Sequence, residues 1–216
     1  MNVDPIARVY RLIEYAAFGR SLERCRFASL PFTTEACDIL ILGEGDGRFL
    51  ERLLRINGDA RVDSIDVSAR MLELARQRVA ERDLARVRFH QRDALDGPVG
   101  DASYDLIITN FFLDCFSPES AAVLIAKWSA VLKTGGLWLV GEFNEPDCGL
   151  RRFHARLWHR IMYRFFQLTT GLEVSRLPPY ATLLHSANFT LVKQSETRFG
   201  LMISQVWRKN SLHRDD

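Results

Sequence analysis

Residues Ile39 to Leu50, in the order Ile-Leu-Ile-Leu-Gly-Glu-Gly-Asp-Gly-Arg-Phe-Leu, constrain this chain more than any other stretch. Four consecutive apolar residues predict a strand buried on both faces. Gly43, Gly45 and Gly47 then predict a tight turn in which a ligand meets bare backbone. From Phe49 through Leu53 and Leu54 the apolar spacing becomes helical. Strand, glycine-rich turn and helix N-terminus together open a nucleotide-binding α/β domain. A dinucleotide-binding turn has the spacing G-x-G-x-x-G, which would place its third glycine at Arg48. Here the spacing is G-x-G-x-G, and Arg48 obstructs the approach that a pyrophosphate needs. The turn therefore suits a ligand that carries adenosine without phosphates.

A second strand, Val62 to Asp66, ends in a carboxylate 23 residues past Gly43. An acid at about that offset accepts hydrogen bonds from ribose hydroxyls. Ser68 is placed to cap a helix from Ala69 to about Arg82, with Met71, Leu72, Ala75 and Val79 on its inner face. A third strand, Val87 to Gln91, leads into Asp93-Ala94, where Asp93 can accept from an exocyclic amine such as that of adenine. Each of these residues also has a plain structural reading. The glycines can form a turn without a ligand. Asp66 can be a solvated strand end, and Asp93 a turn residue that bonds its own backbone. Val67 and Met71 can be ordinary core.

Five segments in this order resemble the class I S-adenosylmethionine-dependent methyltransferases. They are the Gly43–Gly47 loop, Asp66 with Val67 and Met71, Asp93-Ala94, the strand Tyr104 to Asn110, and Val131-Leu132-Lys133-Thr134-Gly135-Gly136. The resemblance is strong over Ala36 to Phe143. It implies S-adenosylmethionine as cofactor, with S-adenosylhomocysteine as product. It also implies a cofactor site built from Gly43, Glu44, Gly45, Gly47, Asp66, Val67, Met71, Asp93, Ala94, Asn110 and Phe111. One position departs from the family. An acid usually stands two residues before the first glycine, where this chain has Ile41. Glu44, inside the loop, is the candidate to take over part of that role toward the methionine amino group.

The elements alternate. Strands near 38–42, 61–66, 87–91, 104–110 and 136–143 are expected between helices near 47–57, 69–82 and 118–133. That rhythm gives a Rossmann-like, doubly wound α/β sheet, mostly parallel, with helices on both faces. Ser117-Pro118 starts the fourth helix, and Lys133 to Gly136 stops it. Phe189 to Glu196 and Phe199 to Arg208 read as adjacent antiparallel strands. The expected sheet thus has seven strands and an antiparallel C-terminal strand. The expected organisation is a single domain: a helical arm (1–35), a cofactor-binding core (36–143), a helical lid (144–180), and a C-terminal helix and hairpin (181–216).

The composition is that of a globular domain, 47% hydrophobic and 26% charged over 216 residues. A net charge of +2 gives no footprint for nucleic acid. After the fourth strand stands Asn110-Phe111-Phe112-Leu113, not a motif that holds an extruded base. Cys25, Cys37, Cys115 and Cys148 lack zinc-ligand spacing, so no metal is expected. Scattered thiols and the lack of an apolar leader or a spanning run point to the cytoplasm.

Two regions outside the core are expected to set specificity. In the first, Ile6, Val9, Tyr10, Ile13, Ala16 and Ala17 recur at helical spacing. The order of residues 4–10 and 18–22 resembles the leading arm of the ubiquinone/menaquinone-biosynthesis C-methyltransferases. That resemblance implies an arm closing over cofactor and substrate, with Tyr10 near the methyl donor. The alternative is an amphipathic helix packed on the sheet edge. In the second, Arg151 to Thr170 is a helix with an apolar stripe of Phe153, Leu157, Trp158, Ile161, Met162, Phe165 and Phe166. Five arginines lie between them and no acid does. This helix reads as a lid packed on the domain, as a hydrophobic substrate lid, or as an interfacial helix on the inner membrane face.

The quinone-methyltransferase resemblance continues through Pro146, Gly171 and Tyr180. The Arg-Asn pair that the family carries after the fourth strand is absent. If transfer needs a base, the candidates are Asp114, His154, His159 and Tyr180, with Asp114 placed at the carboxyl end of the fourth strand. The function expected is methyl transfer to a small hydrophobic or aromatic acceptor such as a quinone precursor. The alternatives are O- or N-methylation of another small metabolite, or a cofactor-binding module without turnover.

Overall fold

The computed structural model describes residues 10–98, 103–146, 148–170, 174 and 177–211, without the side chains of 10–13, 166 and 170. The strands are β1 (Asp38–Leu42), β2 (Arg61–Asp66), β3 (Val87–Gln91), β4 (Tyr104–Asn110), β5 (Leu132–Phe143), β6 (Phe189–Thr197) and β7 (Met202–Lys209). They form one sheet in the order β3-β2-β1-β4-β5-β7-β6. β1 pairs in parallel with β2 and β4, β2 with β3, and β4 with β5. β7 lies antiparallel between β5 and β6.

The apolar run in β1 exists because both faces of the sheet are covered. Successive side chains point to opposite faces. Leu40 and Leu42 pack with Leu124, Ile125 and Trp128 of α5 (Pro118–Ala130). Ile39 and Ile41 pack with Phe49, Leu50, Leu53 and Leu54 of α3 (Arg48–Ile56). Helix starts follow the expected capping. The Ser68 hydroxyl accepts the Met71 N–H (3.0 Å) at the head of α4 (Ala69–Arg78), and Ser117 accepts the Ser120 N–H (3.2 Å) before Pro118.

Three boundaries differ from expectation. α4 ends at Arg78, and Glu81–Arg86 forms 3₁₀ turns. Arg86 pins that segment by donating to the carbonyls of Asn57 and Ala60, each at 3.1 Å. β5 begins at Leu132, directly after α5, instead of at Gly136. The Tyr104 N–H bonds the Val131 carbonyl (2.8 Å), and the register shifts between Tyr104 and Leu106. Lys133 to Gly136 therefore form an irregular start to the strand. The final hairpin turns over 198–201, with Arg198, Phe199 and Gly200 all at positive φ. Its carbonyls are taken by side chains: Asn144 donates to Gly200 (2.9 Å) and Arg151 to Phe199 (2.8 Å). Phe199 is thus in the turn, not in the strand.

A third cluster sits over the carboxyl end of the central strands. It joins α1 (Tyr10–Phe18), α2 (Ser21–Phe27) and α6 (Gly149–Thr170) to the end of β5 and the start of β7. Phe18, Leu22, Cys25, Phe143, Ala155, Met162, Tyr163, Leu201 and Met202 are its buried members. The stripe expected on α6 divides in two. Ala155, His159, Met162 and Tyr163 face inward, while Leu150, Phe153, Leu157, Ile161 and Leu168 face outward. Residues 4–9 of the arm and Gly171 lie outside the described residues.

Candidate functional site

The strand order reverses between β1 and β4, and ligands of open α/β sheets bind beyond the carboxyl ends of the strands at such a point. A cleft opens there. The glycine loop, Asp66-Val67, Met71, Arg92-Asp93-Ala94 and the Asn110–Phe112 turn line it, with Cys115, Phe116, Arg26 and Arg48. Ten of the twelve positions expected at the cofactor are among them: Gly43, Glu44, Gly45, Asp66, Val67, Met71, Asp93, Ala94, Asn110 and Phe111. Gly47, the last residue of the loop, is not among them and packs against Ala75. The side chain of Tyr10, at the start of α1, lies outside the described residues.

Two glycines of the loop are required by what touches them. A Cβ on Gly43 would clash with the ring of Phe112, which lies against the loop. A Cβ on Gly47 would fall 2.6 Å from Cα of Ala75, so Gly47 lets α3 and α4 approach. Both have positive φ, +67° and +83°, where other residues are strained.

The charged residues of the loop are fixed by partners. Glu44 Oε1 accepts the N–H groups of Phe49 (3.1 Å) and Leu50 (2.9 Å), two of the donors that the first turn of α3 leaves open. Burial is the main influence on its carboxyl, pushing it up to about 7 against those two bonds and the nearby Arg26. Asp66 accepts the Gly45 N–H (3.2 Å) on one oxygen and the Ser68 N–H (2.9 Å) on the other. It thereby joins β2 to the loop. Asp93 Oδ1 accepts the Leu95 N–H (2.8 Å), the turn-forming bond that its type favours. Arg48 is buried and ion-paired with Asp46 (2.8 Å) and with Glu14 of α1. Glu14 also holds Arg26 (3.2 Å).

Asn110 differs from these. Neither Nδ2 nor Oδ1 of its amide has a partner, although both are buried in the cleft wall. A buried amide without partners costs a few kcal/mol, so this one is poised for a ligand. Phe111, next in sequence, has φ +54° and sits 5.7 Å from the Arg26 guanidinium. The turn after β4 lacks its own arginine, and α2 supplies one from a distance. Sequence spacing could not reveal Arg26, because its placement depends on how the arm folds back.

The four candidates for a base separate. His154 accepts the Trp158 indole N–H (3.0 Å) on α6 and is not part of the cleft lining. His159 is not on a solvated face. It is buried beside Phe143, with Nε2 unpartnered, and burial lowers it to about 4 against the pull of Glu145. Asp114 is buried just past β4, and burial pushes it up to about 6. Tyr180 opens α7 (Tyr180–Ser186), also buried, and is pushed up by burial and by the charges of Glu142, Cys25 and Asp114. Sequence reasoning missed Glu142. It lies within a strand, where alternation gives no sign that a carboxylate is buried. Its Oε1 accepts the N–H groups of Phe112 (2.9 Å) and Leu113 (2.7 Å). No group of His, Cys, Asp and Glu fit to hold a metal occurs among the described residues.

Known proteins share both sequence and fold with this chain. The family described as "Methyltransferase domain" matches residues 39–136. The ubiquinone/menaquinone biosynthesis C-methyltransferase of Stutzerimonas stutzeri is 34% identical over 177 residues, 81% of this chain and 66% of that protein. The demethylmenaquinone methyltransferase of Deinococcus radiodurans is 30% identical over 134 residues, 62% of this chain and 54% of that protein. The chain thus spans half to two thirds of these curated relatives. Among solved structures, the N-methyltransferase NodS of Bradyrhizobium japonicum WM9 with S-adenosyl-L-homocysteine superposes with a TM-score of 0.62. The two are 17% identical, over 96% of this chain and 93% of that one. At that identity the likeness concerns the fold.

Proposed function

The core of this chain is a class I S-adenosylmethionine-dependent methyltransferase domain, and from that premise we propose that the protein methylates a small hydrophobic or aromatic acceptor, with a quinone precursor the leading class. The observation that carries this reading is the cleft itself. It combines a glycine loop without the dinucleotide spacing, a carboxylate at the end of β2 and a partnerless amide at the end of β4.

In this proposal Asp66 holds the ribose hydroxyls, since a carboxylate oxygen can accept more than one hydrogen bond. Val67 and Met71 flank the adenine, and Asp93 with Ala94 reads its edge. Asn110, Gly43 and Glu44 hold the methionyl portion, where the buried amide finds its partners. The bound cofactor supplies a sulfonium methyl, a strong electrophile with a neutral leaving group. The chain has to orient the acceptor behind that methyl and exclude water, which alone contributes several kcal/mol. Phe18, Phe111, Phe143 and Trp158, packed together under α6, form an apolar aromatic wall beside the cleft. Such a wall suits an aromatic acceptor. Methyl transfer to a panel of demethylated quinols, soluble catechols and amines tests the reading. Activity on quinols supports it, and activity on the soluble set alone overturns the quinone class.

The outward face of α6 favours a peripheral contact with a membrane as part of the same function. Phe153 is 70% and Leu168 83% exposed, with Leu150, Leu157 and Ile161 along the same face. Arg156, Arg160 and Arg164 flank them, and α6 contains no acid. Aromatic and aliphatic groups at the acyl boundary with arginines toward anionic head groups are the features of an interfacial helix. No described helix is long and apolar enough to cross a bilayer.

A further inference from the structure

A group of buried polar side chains lies under the lid, next to the cleft but outside its cofactor wall. Glu142, at the end of β5, is fully buried, and its Oε2 has no partner. Tyr163, on α6, is 4% exposed, and its hydroxyl has no partner either. Asp114 is buried and accepts from the Cys115 thiol (3.6 Å). Tyr163 shares a buried cluster with Phe143, the residue after Glu142, and with Cys115, the residue after Asp114, and the charges of Asp114, Glu142 and Cys115 act on its hydroxyl. Cys115 lines the cofactor cleft, and Tyr163 and His159 line a second, shallower opening with Glu145 and Arg156.

A purely structural carboxylate would not leave Oε2 idle. Oε1 alone ties the turn after β4, through Phe112 and Leu113. A carboxylate oxygen and a tyrosyl hydroxyl, each buried without a partner, carry an uncompensated desolvation cost. Such a cost is retained where a ligand meets it.

We propose that Glu142, with Asp114 and Tyr163, forms the polar end of the methyl-acceptor site and takes the proton of a phenolic or enolic hydroxyl on the acceptor. This rests on the methyltransferase reading above and adds the acceptor's chemical class and the base. The acceptor's O–H proton passes to the carboxylate pair. The electron pair so released, on oxygen or on the conjugated ring carbon, forms the bond to the methyl carbon. The carbon–sulfur pair leaves with the neutral thioether. Tyr163 holds the acceptor oxygen. The apolar wall of Phe18, Phe111 and Phe143 receives the ring.

The surroundings suit a base. Burial pushes both carboxyls up, and the charge of Asp114 raises Glu142 further, against its backbone hydrogen bonds. The titratable groups that face Glu142 are Asp114 and Cys115 after β4, Cys25 on α2, Tyr163 on α6 and Tyr180 on α7. Arg26 acts on Cys25 from α2.

The test uses the full chain, with S-adenosylhomocysteine calorimetry beside two readouts. The first is titration of 4-nitrocatechol, followed by its absorbance, with S-adenosylhomocysteine present. The second is methyl transfer to a set of phenols and hydroquinones. Glu142→Gln keeps an oxygen for the Phe112 and Leu113 N–H groups but cannot take a proton. The expected result is unchanged S-adenosylhomocysteine affinity, at least a hundredfold loss of kcat, and loss of the acidic limb of the kcat pH profile. Tyr163→Phe should weaken 4-nitrocatechol binding and raise acceptor KM about tenfold with a smaller effect on kcat. If Glu142→Gln does not fold, Tyr163→Phe and Asp114→Asn decide by the same readouts. Retention of kcat within threefold in Glu142→Gln, or of probe affinity in Tyr163→Phe, overturns the proposal. Wild-type protein that binds S-adenosylhomocysteine but methylates no phenol or hydroquinone also overturns it and leaves the methyltransferase reading intact. Failure to bind S-adenosylhomocysteine would instead refute that reading.

Discussion

The carboxylate of Glu14, on the N-terminal arm, is shared between Arg26 of α2 and Arg48 at the head of α3. All three side chains are buried. The arm is thereby fastened to the glycine loop through charge as well as through the packing of Phe18 and Leu22. Burial works against the charge on Arg48, but Glu14 and Asp46 more than offset it.

Removing one partner from a buried ion pair leaves the other uncompensated, at a cost of about 3–5 kcal/mol. Glu14→Ala should therefore destabilise the protein by about that much in urea unfolding. The double change Glu14→Ala with Arg48→Met should recover part of the loss. A loss below about 1 kcal/mol would show that the network is solvated.

Gly47→Ala tests the approach of α3 to α4. The new Cβ would meet Ala75 at 2.6 Å with φ at +83°. A strained φ alone costs of order 1–3 kcal/mol, and the contact adds to it. The expected outcome is a clear drop in Tm. Gly45→Ala, with open space around its Cβ, should cost less. Equal effects would mean that backbone strain alone matters.

How much of this was legible in the sequence differs by region. Asp66, the glycine loop and the strand alternation were readable because each depends on local order: a run of apolar residues, a turn, an offset to the next strand end. Glu142, Arg26 and Tyr163 were not. Their surroundings are set by how α2 and α6 pack over the end of β5, and none has a motif of its own. The α6 stripe was read as one face because every apolar residue counts alike in periodicity. Packing against Phe143 and Met202 selects only the Ala155, His159, Met162 and Tyr163 side. The helix expected to stop at Lys133 ends earlier, at Ala130, because pairing of Leu132 with Tyr104 begins the strand directly after it.

Stability should depend on pH through Asp114. Its carboxyl is raised from 3.8 to about 6 in the folded protein. Below the lower value both states carry the proton and the effect cancels. As pH rises from there through about 6, the unfolded chain loses its proton first, and folding becomes less favourable. Urea unfolding at pH 5 and pH 8 should show wild type losing stability at the higher pH by about 1–2 kcal/mol more than Asp114→Asn. Identical losses would remove Asp114 as the cause.

The outer face of α6 predicts binding to vesicles that contain anionic lipid, weakened by salt. Flotation should fail for Phe153→Ser with Leu157→Ser, and should weaken for Arg160→Gln with Arg164→Gln. Equal flotation of all variants, or none by wild type, would exclude this face as a membrane contact.

Calorimetric titration with S-adenosylhomocysteine, with NAD as comparator and Asp66→Ala as control, bears most directly on the central claim. S-adenosylhomocysteine should bind and NAD should not. Asp66→Ala should bind it about a hundredfold more weakly, from loss of two hydrogen bonds to a charged group. No binding, or a preference for NAD, would contradict the claim.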